Sequence, residues 1–135
     1  MELATLALRE FGVPLEPSEY QFVEADTHGC VGHVGLDVRM VWFEDDPHVA
    51  VGVAAIRFVV TREDCRELGV ATGLMLRAHG KAACLGLAFA VLFSGVEGFY
   101  RTLGYRTVRP GAMVCALDGR SKWPAGAWET VGKEW

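Results

Sequence analysis

Apolar and polar positions alternate from residue 33 to residue 42. Val34, Leu36, Val38, Met40 and Trp42 fall on one face, His33, Asp37 and Arg39 on the other. A period of two predicts a strand with one apolar and one polar face. Before it, Leu3, Leu6, Ala7 and Phe11 recur at helical spacing, and Gly12 and Pro14 stop that helix. Tyr20–Asp26 reads as a short strand with a turn at Thr27-His28-Gly29. After it, Glu44-Asp45-Asp46-Pro47 turns into Val49–Val60, apolar or small on both faces, which fits a central strand covered on two sides.

The pattern then changes period. Thr61–Leu68 reads as a loop and Val70–Leu85 as a helix, with Gly86 as its C-terminal cap. Leu87–Phe93 is a second buried strand, Val96–Leu103 a short helix ended by Gly104, and Tyr105–Val108 and Ala112–Leu117 a last pair of strands. The stretch from Trp123 to Trp128 is aromatic and turn-rich. No repeat or linker divides residues 1–135, so one α/β (α+β) domain is expected, a mixed sheet with helices on its faces.

Composition narrows the function classes. The chain of 135 residues is 51% hydrophobic and 22% charged, enough for a real core and too apolar for disorder. A net charge of −4 without a Lys/Arg cluster disfavours nucleic acid and tolerates a cationic substrate. Cys30, Cys65, Cys84 and Cys115 are scattered and form no Cys-x-x-Cys pair, as expected of reduced cytoplasmic thiols. Neither they nor His28, His33, His48 and His79 show ligand spacing, so no metal is expected. The longest apolar stretch, Ala82–Phe93, is too short for a bilayer, and Met1–Leu8 carries Glu2 without a basic flank. Neither a membrane partner nor a targeting segment is expected.

The chemistry concentrates at Arg66-Glu67-Leu68-Gly69-Val70-Ala71, between the apolar strand and the helix. A strand feeding a tight loop and a helix start lines up backbone N–H groups at the positive end of the helix dipole, a phosphate site. Gly69 permits close approach to the backbone, and small Ala71 leaves room beside it. Taken alone, the same residues also fit an ordinary connecting loop with an exposed arginine. A nucleotide-phosphate enzyme is a poor fit, since no Gly-x-x-x-x-Gly-Lys-Ser/Thr occurs.

With Phe99-Tyr100-Arg101-Thr102-Leu103-Gly104-Tyr105 about thirty residues downstream, the chain resembles the GNAT superfamily of acyl-CoA-dependent N-acyltransferases. Two motifs carry the likeness, Arg/Gln-x-x-Gly-x-Gly/Ala at Arg66–Ala71 and Phe-Tyr-x-x-Leu-Gly-Phe/Tyr at Phe99–Tyr105. Within the superfamily, Ala90–Phe93, Lys122–Gly126 and the terminal Trp135 are similar to the aminoglycoside 2′-N-acetyltransferases and nodulation N-acyltransferases. The resemblance implies a mixed, mostly antiparallel sheet flanked by helices, with a shortened N-terminus. It implies acetyl-CoA as cosubstrate and a small primary amine as acceptor. CoA contacts are implied at Phe58, Val59, Val60, Arg66, Glu67, Leu68, Gly69, Val70, Ala71, Thr72, Gly73 and Ser94. The pyrophosphate would rest on the amides of about Gly69–Gly73 with Arg66 nearby, while Glu63, Asp64 and Glu67 point to solvent. In the family the strand at 49–60 splays from that at 87–93, and pantetheine inserts and pairs with backbone near Phe58–Val60. The N–H of Phe58 or Val59 would polarise the thioester carbonyl.

Tyr100 is the implied general acid toward the CoA thiolate. A thiol of pKa about 8.5 is more acidic than a phenol of about 10, so full proton transfer is uphill by roughly 2 kcal/mol. Either Tyr100 has a lowered pKa or it mainly donates a stabilising hydrogen bond. No carboxylate lies between Val49 and Val60, and Arg57 stands where the aminoglycoside enzymes have a Glu. Arg57 either meets an acidic group on the acceptor or pairs with Asp37. Glu24, Asp37, His33, His48 and the terminal carboxylate of Trp135 are weak general-base options, and the base stays unassigned. Trp123, Trp128 and Trp135 either wall the acceptor cleft, pack the tail or form a dimer contact. An edge strand at 20–26 could pair with a second copy, so a homodimer is among the expected partners. Glu44-Asp45-Asp46 would attract a polycation or is simply an exposed acidic turn. The alternative function is a non-catalytic acyl-CoA-binding module, a sensor or subunit, favoured by the shortened N-terminus and the missing Glu.

Overall fold

The computed structural model describes residues 2–3, 5–6 and 18–130, with backbone alone at 46–49. Leu3, Thr5 and Leu6 are helical, and the Leu6 N–H donates to the Glu2 carbonyl at 2.9 Å. Ala7, Phe11, Gly12, Pro14 and Trp135, and the side chain of His48, lie outside what is described. The elements are β1 (Tyr20–Asp26), β2 (Gly29–Phe43), β3 (Asp46–Thr61), α1 (Val70–Cys84), β4 (Phe89–Phe93), α2 (Gly98–Arg101), β5 (Arg106–Arg109), β6 (Ala112–Ala116) and β7 (Trp128–Thr130). A short 3-10 turn, Glu63–Cys65, lies between β3 and α1. The sheet order is β1-β2-β3-β4-β6-β5, and β7 also pairs with β2. β3 and β4 are parallel, while β1–β2, β2–β7, β4–β6 and β5–β6 are antiparallel. The expected mixed, mostly antiparallel sheet is the one observed.

Two compact units divide the chain, the first being Met1–Asp37 with Ile56–Gly80 and the second Val38–Ala55 with Lys81–Trp135. In the first, β1 and β2 form a hairpin running from Tyr20↔Leu36 to Asp26↔Gly29, with a register shift between Glu24 and Ala25. Leu6, Cys30 and Val60 are buried together with Leu3 against them, and α1 buries Leu74, Met75 and Ala78. Gly32 is required by close packing, because a Cβ there would sit 2.8 Å from Val70 Cγ1 and 3.1 Å from Leu74 Cδ1.

In the second unit, Phe43, Val53, Phe89, Val91, Val114, Trp123 and Trp128 form the core. Trp123 meets Phe43 and Phe89 edge-on at 5.2 Å each and Trp128 at 5.4 Å, the geometry that aromatic quadrupoles favour. The turn-rich tail contains a strand after all: β7 pairs Trp128, Glu129 and Thr130 with Phe43, Trp42 and Val41. Trp123 and Trp128 therefore pack the tail, one of the roles open to them. α1 ends as expected at Gly86 (φ +78), with Gly86 N–H donating to Ala83 O at 3.0 Å and Leu87 N–H to Ala82 O at 3.1 Å. This is a Schellman motif.

One local reading is corrected. The helix expected over Val96–Leu103 is the four-residue α2, closed by a turn into Gly104 (φ +94). Along β2, His33, Asp37 and Arg39 are buried, as are Val41 and Phe43, while Met40 is 42% exposed. Burial there is accompanied by hydrogen bonds, from His33 Nδ1 to Phe58 O at 2.8 Å, from the Glu19 N–H to Asp37 Oδ1 at 2.6 Å and from Arg39 Nη1 to Val38 O at 3.1 Å.

Candidate functional site

The strand-to-helix loop belongs to the first unit. Past the 3-10 turn, Arg66 is extended (φ −68, ψ 153), and Glu67 (φ +65) and Gly69 (φ +80) are left-handed. α1 then starts at Val70, and its ladder opens with Gly73 N–H donating to Gly69 O at 3.0 Å. The N–H groups of Val70, Ala71 and Thr72 precede that bond, so they project from the helix start. Apart from the adjoining backbone, no heavy atom of the described residues lies within 4 Å of the Cβ position at Gly69 or Gly73, so an anion can approach the backbone there. The first turn carries no acidic side chain, and Glu63, Asp64 and Glu67 are exposed. Arg66 is exposed beside the loop, its Nε donating to Thr61 O at 3.3 Å. Leu68 is 73% exposed.

Arg62, which the sequence reading passed over, braces this loop. Its guanidinium donates to Asp26 Oδ2 at 2.7 Å and Asp64 Oδ1 at 2.6 Å, and lies 3.5 Å from Cys65 Sγ. Its backbone N–H donates to Val31 O at 2.7 Å. The end of β1, the start of β2 and the 3-10 turn are thus tied at one residue. The only sequence hint was an arginine flanked by carboxylates, which usually reads as solvated charge. Hydrogen bonds from Arg62 hold the Asp26 carboxyl down at about 2. A depressed carboxylate stabilises the fold above its unfolded pKa of about 3.9, and that contribution is lost as pH falls through the folded value. Arg62→Met is expected to lower the melting temperature by roughly 3–6 °C at neutral pH. It should also flatten the acid loss of stability between about pH 5 and 2, which melting curves over that range would measure.

In β3, Phe58 has φ +49, a left-handed conformation that costs a residue with a Cβ about 1–2 kcal/mol. Its carbonyl accepts a hydrogen bond from His33 Nδ1 at 2.8 Å, and Gln21 Oε1 lies 3.1 Å from His33 Nε2. Burial lowers the His33 pKa, against an opposing effect of the Phe58 carbonyl, so the ring is neutral. With both ring nitrogens engaged, His33 is a poor general base.

Arg57 and Asp37 meet each other. Arg57 Nη1 donates to Asp37 Oδ2 at 2.9 Å, with side chains 16% and 4% exposed. Asp37 Oδ1 accepts the Glu19 N–H at 2.6 Å, and the Arg57 guanidinium lies 5.2 Å from the Phe58 ring centroid. Of the two readings of Arg57, the pair with Asp37 is the one present. Asp37, with both oxygens taken, is likewise a poor proton acceptor. Glu24 is exposed, 3.9 Å from Arg77 Nη1. Trp135 is outside the described residues.

Tyr100 and Ser94 belong to the second unit. Tyr100 lies on α2, half-buried, its ring edge-on to Phe99 at 5.1 Å and Tyr105 at 5.9 Å. Burial raises its pKa. The phenol therefore keeps its proton, which suits a hydrogen-bond donor better than an acid that transfers fully. Ser94 Oγ closes a local turn, accepting the Val96 N–H and donating to Val96 O, each at 3.0 Å. Among the described residues no group of three or more His, Cys, Asp or Glu side chains could hold a metal ion, and no helix is long and apolar enough to cross a membrane.

Sequence comparison matches no protein-family model and no curated protein. Solved structures do match. The chain is similar to Eis1 from Mycobacterium abscessus (TM-score 0.64, 21% identity, covering 75% of this chain and 26% of that one). It is similar to a GNAT family acetyltransferase from Brucella melitensis in complex with acetyl-CoA (TM-score 0.63, 17% identity, 90% and 70%). A third likeness is to the GNAT family N-acetyltransferase YhbS from Escherichia coli in complex with CoA (TM-score 0.60, 20% identity, 82% and 63%). The chain thus spans about a quarter of Eis1 and less than two thirds of YhbS. Strand order, the β3-loop-α1 passage and these likenesses agree on one architecture: the chain has the GNAT fold.

Proposed function

We propose that this chain is an acyl-CoA-dependent N-acetyltransferase, moving an acetyl group from acetyl-CoA to a primary amine of a small acceptor. The observation that carries the reading is the loop at Arg66–Gly73, where left-handed Glu67 and Gly69 open onto a helix start with clear space before its backbone. CoA phosphates are the anions this geometry suits, since backbone N–H donors and the helix dipole act together without an acidic side chain in the first turn. The dipole alone contributes about 0.3–1 kcal/mol, so the hydrogen bonds supply most of the affinity. Two structural neighbours were solved with CoA or its acetyl ester, which supports the same ligand class.

In the proposed reaction the pantetheine arm lies along Phe58–Val60 as an added strand. A neutral amine nitrogen attacks the thioester carbon, and the carbonyl oxygen takes up negative charge near a backbone N–H. Collapse breaks the C–S bond, and the amine proton leaves to solvent. The departing thiolate is stabilised by a hydrogen bond from Tyr100, whose burial keeps the phenol protonated. The acidic net charge of −4 is compatible with a cationic acceptor, and an aminoglycoside-like polyamine is the finer form of the proposal. A cytoplasmic setting is part of it, in keeping with four free cysteines.

Titration calorimetry with CoA and acetyl-CoA, followed by thiol release over a panel of amines including aminoglycosides, tests the whole reading. Micromolar binding with acceptor-dependent thiol release is expected. Binding without such release would instead make the chain a non-catalytic acyl-CoA module. Tyr100→Phe should cut turnover at least tenfold with acetyl-CoA affinity retained, and unchanged turnover would remove Tyr100 from the mechanism.

A further inference from the structure

In a regular sheet each carbonyl of a central strand is held by an N–H of the neighbouring strand, and a residue in left-handed conformation interrupts that ladder. Phe58 is such a residue, at φ +49 within β3. Its carbonyl accepts a hydrogen bond from a side chain, the Nδ1–H of His33, at 2.8 Å. His33 is 0% exposed, so nothing about it serves solvent or surface. Its ring is fixed at the other end by Gln21 at 3.1 Å, and rotating that amide half a turn gives a neutral Nε2 a donor.

The consequence follows from the planarity of the peptide bond. In a trans peptide the carbonyl of one residue and the N–H of the next point in opposite directions and turn as one rigid plate. No cis peptide occurs among the described residues. A grip on the Phe58 carbonyl is therefore a grip on the Val59 N–H, which is aimed away from His33.

We propose that His33 is a positioning residue: by holding the carbonyl of left-handed Phe58 it orients the Val59 amide toward the pantetheine arm and thioester of acyl-CoA. This rests on the acyl-CoA reading above. His33 touches neither substrate nor acceptor; it acts through one peptide plate. The phosphate-binding amides at the start of α1 do not depend on it, so its loss should be felt by the pantetheine end of the ligand and not by the nucleotide end.

Two substitutions of similar bulk and polarity separate the positioning role from simple packing. His33→Asn can place its amide N–H where Nδ1–H stood, whereas His33→Gln reaches the Nε2 position and does not restore the bond to the Phe58 carbonyl. Calorimetry is run with acetyl-CoA and with 3′-phospho-ADP, the CoA headgroup without pantetheine. His33→Gln is expected to lose at least tenfold in acetyl-CoA affinity with headgroup affinity within twofold of wild type, and His33→Asn to stay within about threefold for both. Equal losses for the two ligands, or equal behaviour of the two variants, would overturn the assignment. If wild type binds neither ligand, the acyl-CoA reading itself fails and the assignment goes with it. If wild type binds both and His33→Gln is unaffected, only the His33 role fails.

Discussion

A Gly69→Val variant is expected to lose at least a hundredfold in CoA affinity while remaining folded. Residue 69 is exposed with φ +80, and apart from its chain neighbours no heavy atom of the described residues lies within 4 Å of its Cβ position, so added bulk finds space. The cost lies in the backbone. A β-branched residue is a steric outlier at positive φ, so the loop relieves strain by turning peptides out of their present orientation. Those peptides carry the donors proposed for the pyrophosphate. A hydrogen bond to a charged group contributes about 1.5–3 kcal/mol, so misdirecting two of them removes about 3–6 kcal/mol. At about 1.4 kcal/mol per factor of ten, that exceeds a hundredfold. Gly119→Val is the control, because Gly119 is an exposed glycine at φ +72 in the turn after β6. It carries the same strain with no phosphate donor. Calorimetry showing Gly69→Val within threefold of wild type would move the phosphates elsewhere.

Asp37→Ala is expected to destabilise the protein by about 3 kcal/mol, a large share of the 5–15 kcal/mol typical of a domain. The substitution removes an acceptor from two donors at once. Arg57 loses the carboxylate 2.9 Å away, and the Glu19 N–H loses an acceptor at 2.6 Å. Breaking a buried pair from one side costs about 3–5 kcal/mol, and the residual exposure of Arg57 places this case at the low end. Removing both charges tests the cause. Asp37→Ala combined with Arg57→Met should be less destabilised than Asp37→Ala alone, because no uncompensated charge stays buried. Urea unfolding of the four members of that cycle gives the coupling energy. Additive losses would mean that the pair contributes only through packing.

What the amino-acid sequence disclosed, and what it withheld, follows from how local the signals are. The bounds of β1 and the start of α1 were legible because apolar periodicity and glycine placement are local properties. Gly69 and Gly86 could be assigned to a loop and a cap on the same grounds, and both have positive φ. The left-handed Phe58 was not legible: nothing in Ile56-Arg57-Phe58-Val59 marks a phenylalanine for positive φ, and its support comes from His33, 25 residues earlier. β7 was missed because three residues show no period and its partner, Val41–Phe43, is remote in sequence. The burial of the polar face of β2 was left open for a similar reason. Whether His33 and Asp37 are solvated or satisfied depends on Phe58, Arg57 and Glu19, and pattern alone cannot supply those partners.

The placement of Trp123 and Trp128 in the core of the second unit has an optical consequence. All four indoles, those of Trp42, Trp123, Trp128 and Trp135, fall within Val38–Ala55 and Lys81–Trp135. Intrinsic fluorescence thus reports most directly on that half of the molecule, whereas Gly69, His33 and Asp37 reside in Met1–Asp37 and Ile56–Gly80. A melt followed at 350 nm (roughly where solvated indole emits) could leave damage around the phosphate loop unseen, whereas far-ultraviolet dichroism of α1 would register it.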